Sequence, residues 1–391
     1  MKRNITLIAR NAFESARKSA FNNKNTPQNF HTSKNSLIMR LSFEVSGFRL
    51  FFFYCFIFVS GNLSYQEATE RRNEIFDSEQ KRQKDNVGRI EKIEVRYLGV
   101  PKDTTLIMNK DLSTPFDCAR HLGQLHSEQS ALALLDGNTV WDIHRPLPHS
   151  CTLQVADPLQ VNRAFWRTCS FALGAVLTRS FKDTHQVHLH SFPSPDVRSG
   201  SFVYDVELEG LADWEPVAWE LRALSAEFVK LTRTAAPLQR LTVREDVALA
   251  MFQDNHHKTA QIPHIARKNE GNVTLYRADG HVDISKGPMI ANLSQIGRVA
   301  IPAVHRLVRD PGEEAPKGDP APALHRIQGV ALPSGIIINH MAFRILTDRA
   351  SKLSPNIANP LGDLWAELRE TGGGSLLTPA RIHRLIALHR S

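Results

Sequence analysis

Val273–Leu293 reads VTLYRADGHVDISKGPMIANL. Val273–Arg277 combines β-branched and aromatic residues in alternation, so it is predicted to be a strand. Asp279-Gly280 is the dipeptide that a tight hairpin turn favours, and a second strand follows it. Gly287-Pro288 then marks a sharp corner, because such a pair interrupts regular structure.

Working outward, Val161–Asp183 (VNRAFWRTCSFALGAVLTRSFKD) sets Phe165, Cys169, Ala172, Val176 and Phe181 on or near one helical face. GSFVYDVEL (Gly200–Leu208) reads as a strand, Trp214–Thr232 as a helix, and Leu241–Lys258 (LTVREDVALAMFQDNHHK) as a further helix. Taken in order, these segments resemble the amino-terminal editing region of threonyl-tRNA synthetases. The hairpin segment resembles that family's Y-R-x-G-x-F-x-D-x-C-x-G-P-H. The first helix resembles its F-W-H-S-x-A-H-x-L-G, matched at Phe165, Trp166, Leu173 and Gly174. GSFVYDVEL resembles its G-F-Y-Y-D strand, and the last helix resembles its A-x-x-x-F-x-x-N-x-x-K at Ala248, Phe252, Asn255 and Lys258.

In that family two histidines on the first helix, the cysteine and the final histidine are functional. Here those positions hold Arg167, Phe171, Ser285 and Met289. None is a competent zinc ligand, and Arg167 brings a permanent positive charge. The resemblance therefore implies a degenerate editing site, with no catalytic residue, cofactor, metal or small-molecule substrate.

Residues 90–157 form a separate unit. IEVRYLG and TTLIMNK alternate like paired strands. Thr114-Pro115 starts a helix, with a capping hydroxyl followed by proline in the first turn. Phe116, Ala119 and Leu122 are its buried stripe. ALALLDG, VWDIHRPL and CTLQVA supply further strands, with a turn at Asp136-Gly137. This succession fits a β-grasp domain. It resembles the TGS domain of the same synthetases, at Asp136-Gly137, Trp141-Asp142, Pro146-Leu147 and Cys151–Leu153.

Charge is distributed unevenly. Met1–Arg49 carries nine Lys or Arg against two Glu, or +7 of the chain's +8. The remaining body is close to neutral, which argues against a strongly basic nucleic-acid binder. Arg3, Arg10, Arg17 and Lys24 recur every seven residues on one helical stripe, the pattern of a mitochondrial leader. The apolar run Leu50–Val59 is ten residues, about half of the ~20 that a membrane-spanning helix needs. Its phenylalanine-rich composition reads as translated intron sequence. Ser64–Asn86 is a charged helix expected to be a linker with a solvated face. Cys55, Cys118, Cys151 and Cys169 lack paired metal spacing and read as free thiols.

His185, His188 and His190 (in HQVHLH) are expected to face solvent, and adjacent His256 and His257 not to face one site. Phosphate-binding loops and nucleophile elbows are absent from the sequence, and there is no room for a synthetase catalytic core.

The expected fold is α+β: a leader (1–62), a helical linker (63–89), a TGS-like β-grasp domain (90–157), an inactive editing-like α/β domain (158–310) and a carboxy-terminal extension (311–391). A transit-like leader, a TGS module and a disarmed editing domain together resemble a family of mitochondrial large-subunit ribosomal proteins. That resemblance implies an architectural role in the mitochondrial matrix. It also implies mitochondrial ribosomal RNA and neighbouring ribosomal proteins as partners, and no membrane span. A free-standing editing deacylase and a TGS-type regulatory RNA binder are the alternatives.

Overall fold

The computed structural model describes residues 44–45, 48–49, 65–99, 102–123, 131–156, 158–182, 184–193, 201–307 and 323–352. The chain divides into two units, Met1–Asn62 and Leu63–Ser391. In the first, β1 (Glu44–Val45) and β2 (Phe48–Arg49) pair antiparallel. The stripe from Arg3 to Lys24, the run Leu50–Val59, Cys55 and the tail beyond Lys352 lie outside the described residues.

The second unit opens on α1 (Tyr65–Asp85), β3 (Lys92–Tyr97), β4 (Thr104–Asn109), α2 (Pro115–Leu122), β5 (Leu132–Leu135), β6 (Thr139–Asp142) and β7 (Cys151–Val155). It continues through α3 (Pro158–Ser180), β8 (Val187–Ser191), β9 (Phe202–Leu208), α4 (Ala218–Thr232), β10 (Gln239–Arg244), α5 (Glu245–Met251) and α6 (His256–Lys268). It ends with β11 (Asn272–Ala278), β12 (His281–Ile284), β13 (Ile296–Leu307), β14 (Leu324–Pro333) and α7 (His340–Ala350). Among its described residues this unit is mixed α+β, with sheets of five, four and three strands.

The five-stranded sheet runs β4-β3-β7-β5-β6, with β3 parallel to β7 and the other pairs antiparallel. Alternation explains β3: Ile93, Val95 and Tyr97 point inward while Lys92, Glu94 and Arg96 are exposed. At α2, Thr114 accepts from the Asp117 amide at 3.3 Å and Asp117 accepts from the Thr114 amide at 2.9 Å, a reciprocal cap. Cys118 and Cys151 are buried free thiols, pushed by that burial up to about 12 and about 11. They are inert at neutral pH.

The four-stranded sheet, β13-β14-β9-β8, is antiparallel throughout. Its core takes Phe165, Cys169, Leu173 and Val176 of α3 and Phe228 of α4 against Phe202, Tyr204 and Ile327. Gly329 lies under the Phe202 ring, where a Cβ would come within 2.3 Å of it.

Three expectations are corrected. Leu241–Lys258 is not one helix. LTVR pairs with β11 as β10, and two helices follow, with Asn255 capping the second. The charged helix over 65–85 is not a solvated linker. Ala68, Arg72, Phe76 and Glu79 form a buried stripe, with Phe76 fully buried in one core cluster with Leu241, Val243 and Phe252. Arg71 and Arg72 both bond Asp254, and the Arg277 guanidinium stacks 4.2 Å over the Phe76 ring. Lastly, the boundary at 310 cuts a sheet. β14 lies between β13 and β9, so 324–333 is the interior of the fold that 158–310 was expected to complete. Its burial pattern, nearly continuous over His325–Ala331, is that of a central strand.

Candidate functional site

The hairpin β11–β12 and the corner after it dock against α3 and against Asp142 at the end of β6. The Asp142 carboxylate is buried. Its Oδ1 accepts from the Tyr276 hydroxyl and from the Met289 amide, each at 2.8 Å, and its Oδ2 accepts from Arg240 at 3.1 Å. On the other side, Arg167 donates to the Pro288 carbonyl at 2.8 Å, and the Ile290 amide donates to Thr168 Oγ1 at 3.1 Å. The Gly287–Pro288 peptide is cis. Gly287 has φ +67°, and a Cβ there would sit 1.9 Å from the Tyr276 hydroxyl. Both the conformation and the space therefore require glycine.

Of the four positions that the resemblance matched to the editing cluster, Arg167, Ser285 and Met289 lie at this corner and Phe171 meets β12 instead. Arg167 is clamped to Pro288, and burial pulls its guanidinium down while Tyr276 and Asp142 oppose the shift. Met289 is buried in the main apolar core, in the same cluster as Phe171. Phe171 meets the His281 ring edge-on at 5.1 Å between centroids. Ser285 Oγ accepts from the Gly287 amide at 3.3 Å, a local turn contact. Chemically the set offers a guanidinium, a phenyl ring, a hydroxyl and a thioether. It presents no pair of soft or imidazole donors to a cation.

Beside it lies a polar cluster that sequence reading met only through Asn255 and Lys258. Lys258 Nζ is 2.6 Å from Asp283, with side chains 3% and 0% exposed. It also donates to the Tyr204 hydroxyl at 3.0 Å, and Tyr204 in turn donates to Asp283. Burial alone would raise the Asp283 carboxyl. The Lys258 charge and these hydrogen bonds outweigh it and hold the carboxyl below its usual range. Burial pushes the Tyr204 phenol well up, and the neighbouring Asp283 charge adds to this. His281, also fully enclosed, is driven by burial down to about 3 and is neutral at physiological pH. Every polar group of the Lys258–Asp283–Tyr204 set is occupied by another member. The set is a closed structural network rather than an open acid–base site.

No protein-family model matches the chain. Among curated proteins, the large ribosomal subunit protein mL39 of Drosophila melanogaster is 53% identical over 290 residues, covering 73% of this chain and 84% of that protein. The chain belongs to the mL39 family of large ribosomal subunit proteins. Its kinship with synthetases is also real but partial. A probable cytoplasmic threonine–tRNA ligase 1 of Dictyostelium discoideum is 29% identical over 194 residues, which is 49% of the chain and 26% of the ligase. The human cytoplasmic threonine–tRNA ligase 1 is 24% identical over 191 residues, 48% of the chain and 25% of the ligase. The mL39-family chain thus spans about a quarter of these ligases, in keeping with the resemblance to their editing region.

At 171 and 281 this mL39-family member carries phenylalanine and histidine, an exchange relative to the synthetase motifs that its sequence resembles. Neither motif alone reveals the exchange. It is visible only once the two segments are in contact.

Proposed function

We propose that the chain is a structural component of the mitochondrial large ribosomal subunit, supporting mitochondrial translation from the matrix without catalysing a reaction. The observation that carries this is the 53% identity to mL39 along most of both chains. The physical chemistry agrees. Arg167 is clamped to the corner, Phe171 and Met289 are buried in the main core, and the Lys258–Asp283 pair is closed to solvent. The likeness covers 26% of the Dictyostelium ligase, and a shared fold does not by itself carry that ligase's activity.

Within this reading the unit 90–157 is a TGS-type β-grasp binding module. Its support is the order β4-β3-β7-β5-β6, the parallel β3–β7 pair and the helix α2 that follows β4. Partners are mitochondrial ribosomal RNA and neighbouring large-subunit proteins. The body's near neutrality favours many modest contacts over a single basic RNA-binding face. Exposed Ile337, Met341 and Ile345 give α7 and its approach an apolar surface suited to a protein neighbour.

Purification of the endogenous chain from mitochondria, followed by sequencing of the associated RNA, tests the proposal. Strong enrichment of large-subunit ribosomal RNA over small-subunit RNA is expected. Recovery of transfer RNA without ribosomal RNA would overturn it in favour of the editing reading.

A further inference from the structure

The described residues gather one cluster that the ribosomal role does not use. His188 and His190 of β8, Glu207 and Glu209 at the end of β9, and His256 and His257 at the start of α6 converge on one edge of the four-stranded sheet. The expectation that His256 and His257 cannot share a site fails. Nε2 of His256 lies 3.0 Å and Nε2 of His257 lies 2.7 Å from the same Glu207 carboxylate oxygen. Both occupy the first turn of α6, and the two rings nevertheless meet at the same Glu207 oxygen.

We propose that Glu207, His256 and His257 form a binding site for a divalent transition-metal ion of the zinc type. One donor atom from each residue lies within 4.8 Å of the other two. Imidazole nitrogen and carboxylate oxygen are donors that zinc takes, and three protein ligands leave a fourth tetrahedral position for a side chain or water. Donor atoms around such an ion stand about 3.3 Å apart, given metal–nitrogen distances of about 2.0–2.1 Å. The separations of 2.7 and 3.0 Å need open by only about half an ångström. Two further imidazoles stand next to the site. The His188 ring is 5.0 Å from that of His256, and the His190 ring is 4.8 Å from that of His257. His188 faces Glu207 directly across the β8–β9 pair.

The ligands are held by the surrounding backbone. Asn255 caps α6 by accepting from the Lys258 amide, while its Nδ2 donates to the Leu189 carbonyl at 3.0 Å. Gln261 donates to the His190 carbonyl at 3.2 Å. The start of α6 is therefore fixed to β8, and metal affinity gains from such preorganisation. The helix dipole disfavours a cation at this end, and the Glu207 and Glu209 carboxylates oppose that. Each Nε2 hydrogen now directed at Glu207 must move to Nδ1 for the nitrogen to ligate, a tautomer shift open to neutral imidazole. A bound ion would bolt α6 to the sheet.

The test is titration of the untagged full-length protein with Zn2+ in competition with a chromophoric chelator, with Co2+ as a visible-absorption probe. One ion per chain is expected, with the intense absorption of a four- or five-coordinate site. Glu207→Gln and His257→Ala should each weaken binding at least about tenfold. His256 is 56% exposed on its side chain, so His256→Ala keeps the fold and gives the same answer should His257→Ala fail to fold. His185→Ala should leave affinity unchanged. Absence of a stoichiometric ion at micromolar metal would overturn the proposal and leave a hydrogen-bonded histidine–glutamate cluster. So would binding unaltered by His256→Ala and Glu207→Gln.

Discussion

Phe171 on α3 and His281 on β12 meet edge to face, their ring centroids 5.1 Å apart in a fully buried contact. An aromatic pair of this geometry packs well with either ring at either position. His281 stands on a strand where it is enclosed. Its Nε2 has no hydrogen-bond partner there.

That enclosure makes stability acid-sensitive. Unfolded, His281 titrates near about 6.5; folded, burial lowers it to about 3. Between those values the unfolded chain binds a proton that the folded chain does not, so stability falls as pH drops through that window. The full effect is up to about 5 kcal/mol, reached only near the acid end. Asp283, also lowered in the folded state, adds a loss of the same sign at still lower pH. Denaturant unfolding at pH 7 and pH 4.5 should show a clearly smaller acid loss in His281→Phe than in the parent. An identical loss in both would refute the assignment.

The buried ion pair should resist single replacement. Lys258→Met leaves the Asp283 charge uncompensated in a site with 0% exposure and should cost about 3–5 kcal/mol. Tyr204→Phe removes one hydrogen-bonding hydroxyl and should cost less, about 1–2 kcal/mol. Equilibrium urea unfolding ranks the two, and a Lys258→Met loss below that of Tyr204→Phe would contradict the network.

At the corner, Gly287→Ala should destabilise by at least about 2 kcal/mol, because it combines positive φ with a Cβ 1.9 Å from the Tyr276 hydroxyl. Adding Tyr276→Phe should recover part of the loss. A double variant no better than the single would show that the clash is not what limits the site.

These elements differ in how openly the sequence showed them. The β11–β12 hairpin was legible because its alternation and Asp279-Gly280 turn are local signals, and the Thr114-Pro115 helix start for the same reason. The helix over 65–85 shows few apolar side chains, Ala68, Ile75 and Phe76, among many charges, and their burial depends on a sheet nearly two hundred residues away. Strand 324–333 follows the proline-rich 310–322 segment, so its central place in an earlier sheet could be found only through pairing. Of the site, the substitutions at 167, 171, 285 and 289 were legible only through the resemblance to the synthetase motifs. The partner of Phe171 and the convergence of His256, His257 and Glu207 required tertiary contacts, which no single segment encodes.

The editing positions should be chemically silent. With Arg167, Phe171, Ser285 and Met289 in place of the ligand set, the purified protein should hydrolyse mischarged threonine-accepting tRNA no faster than buffer does. A rate several-fold above the spontaneous one, abolished by Lys258→Met in a folded variant, would show that the closed network opens for catalysis.

Sedimentation of mitochondrial extract under conditions that separate the ribosomal subunits tests the central claim most directly. The account predicts that the chain moves with the large subunit at moderate salt, in constant proportion to its other proteins. A chain that stays at the top of the gradient while those proteins sediment together would contradict it.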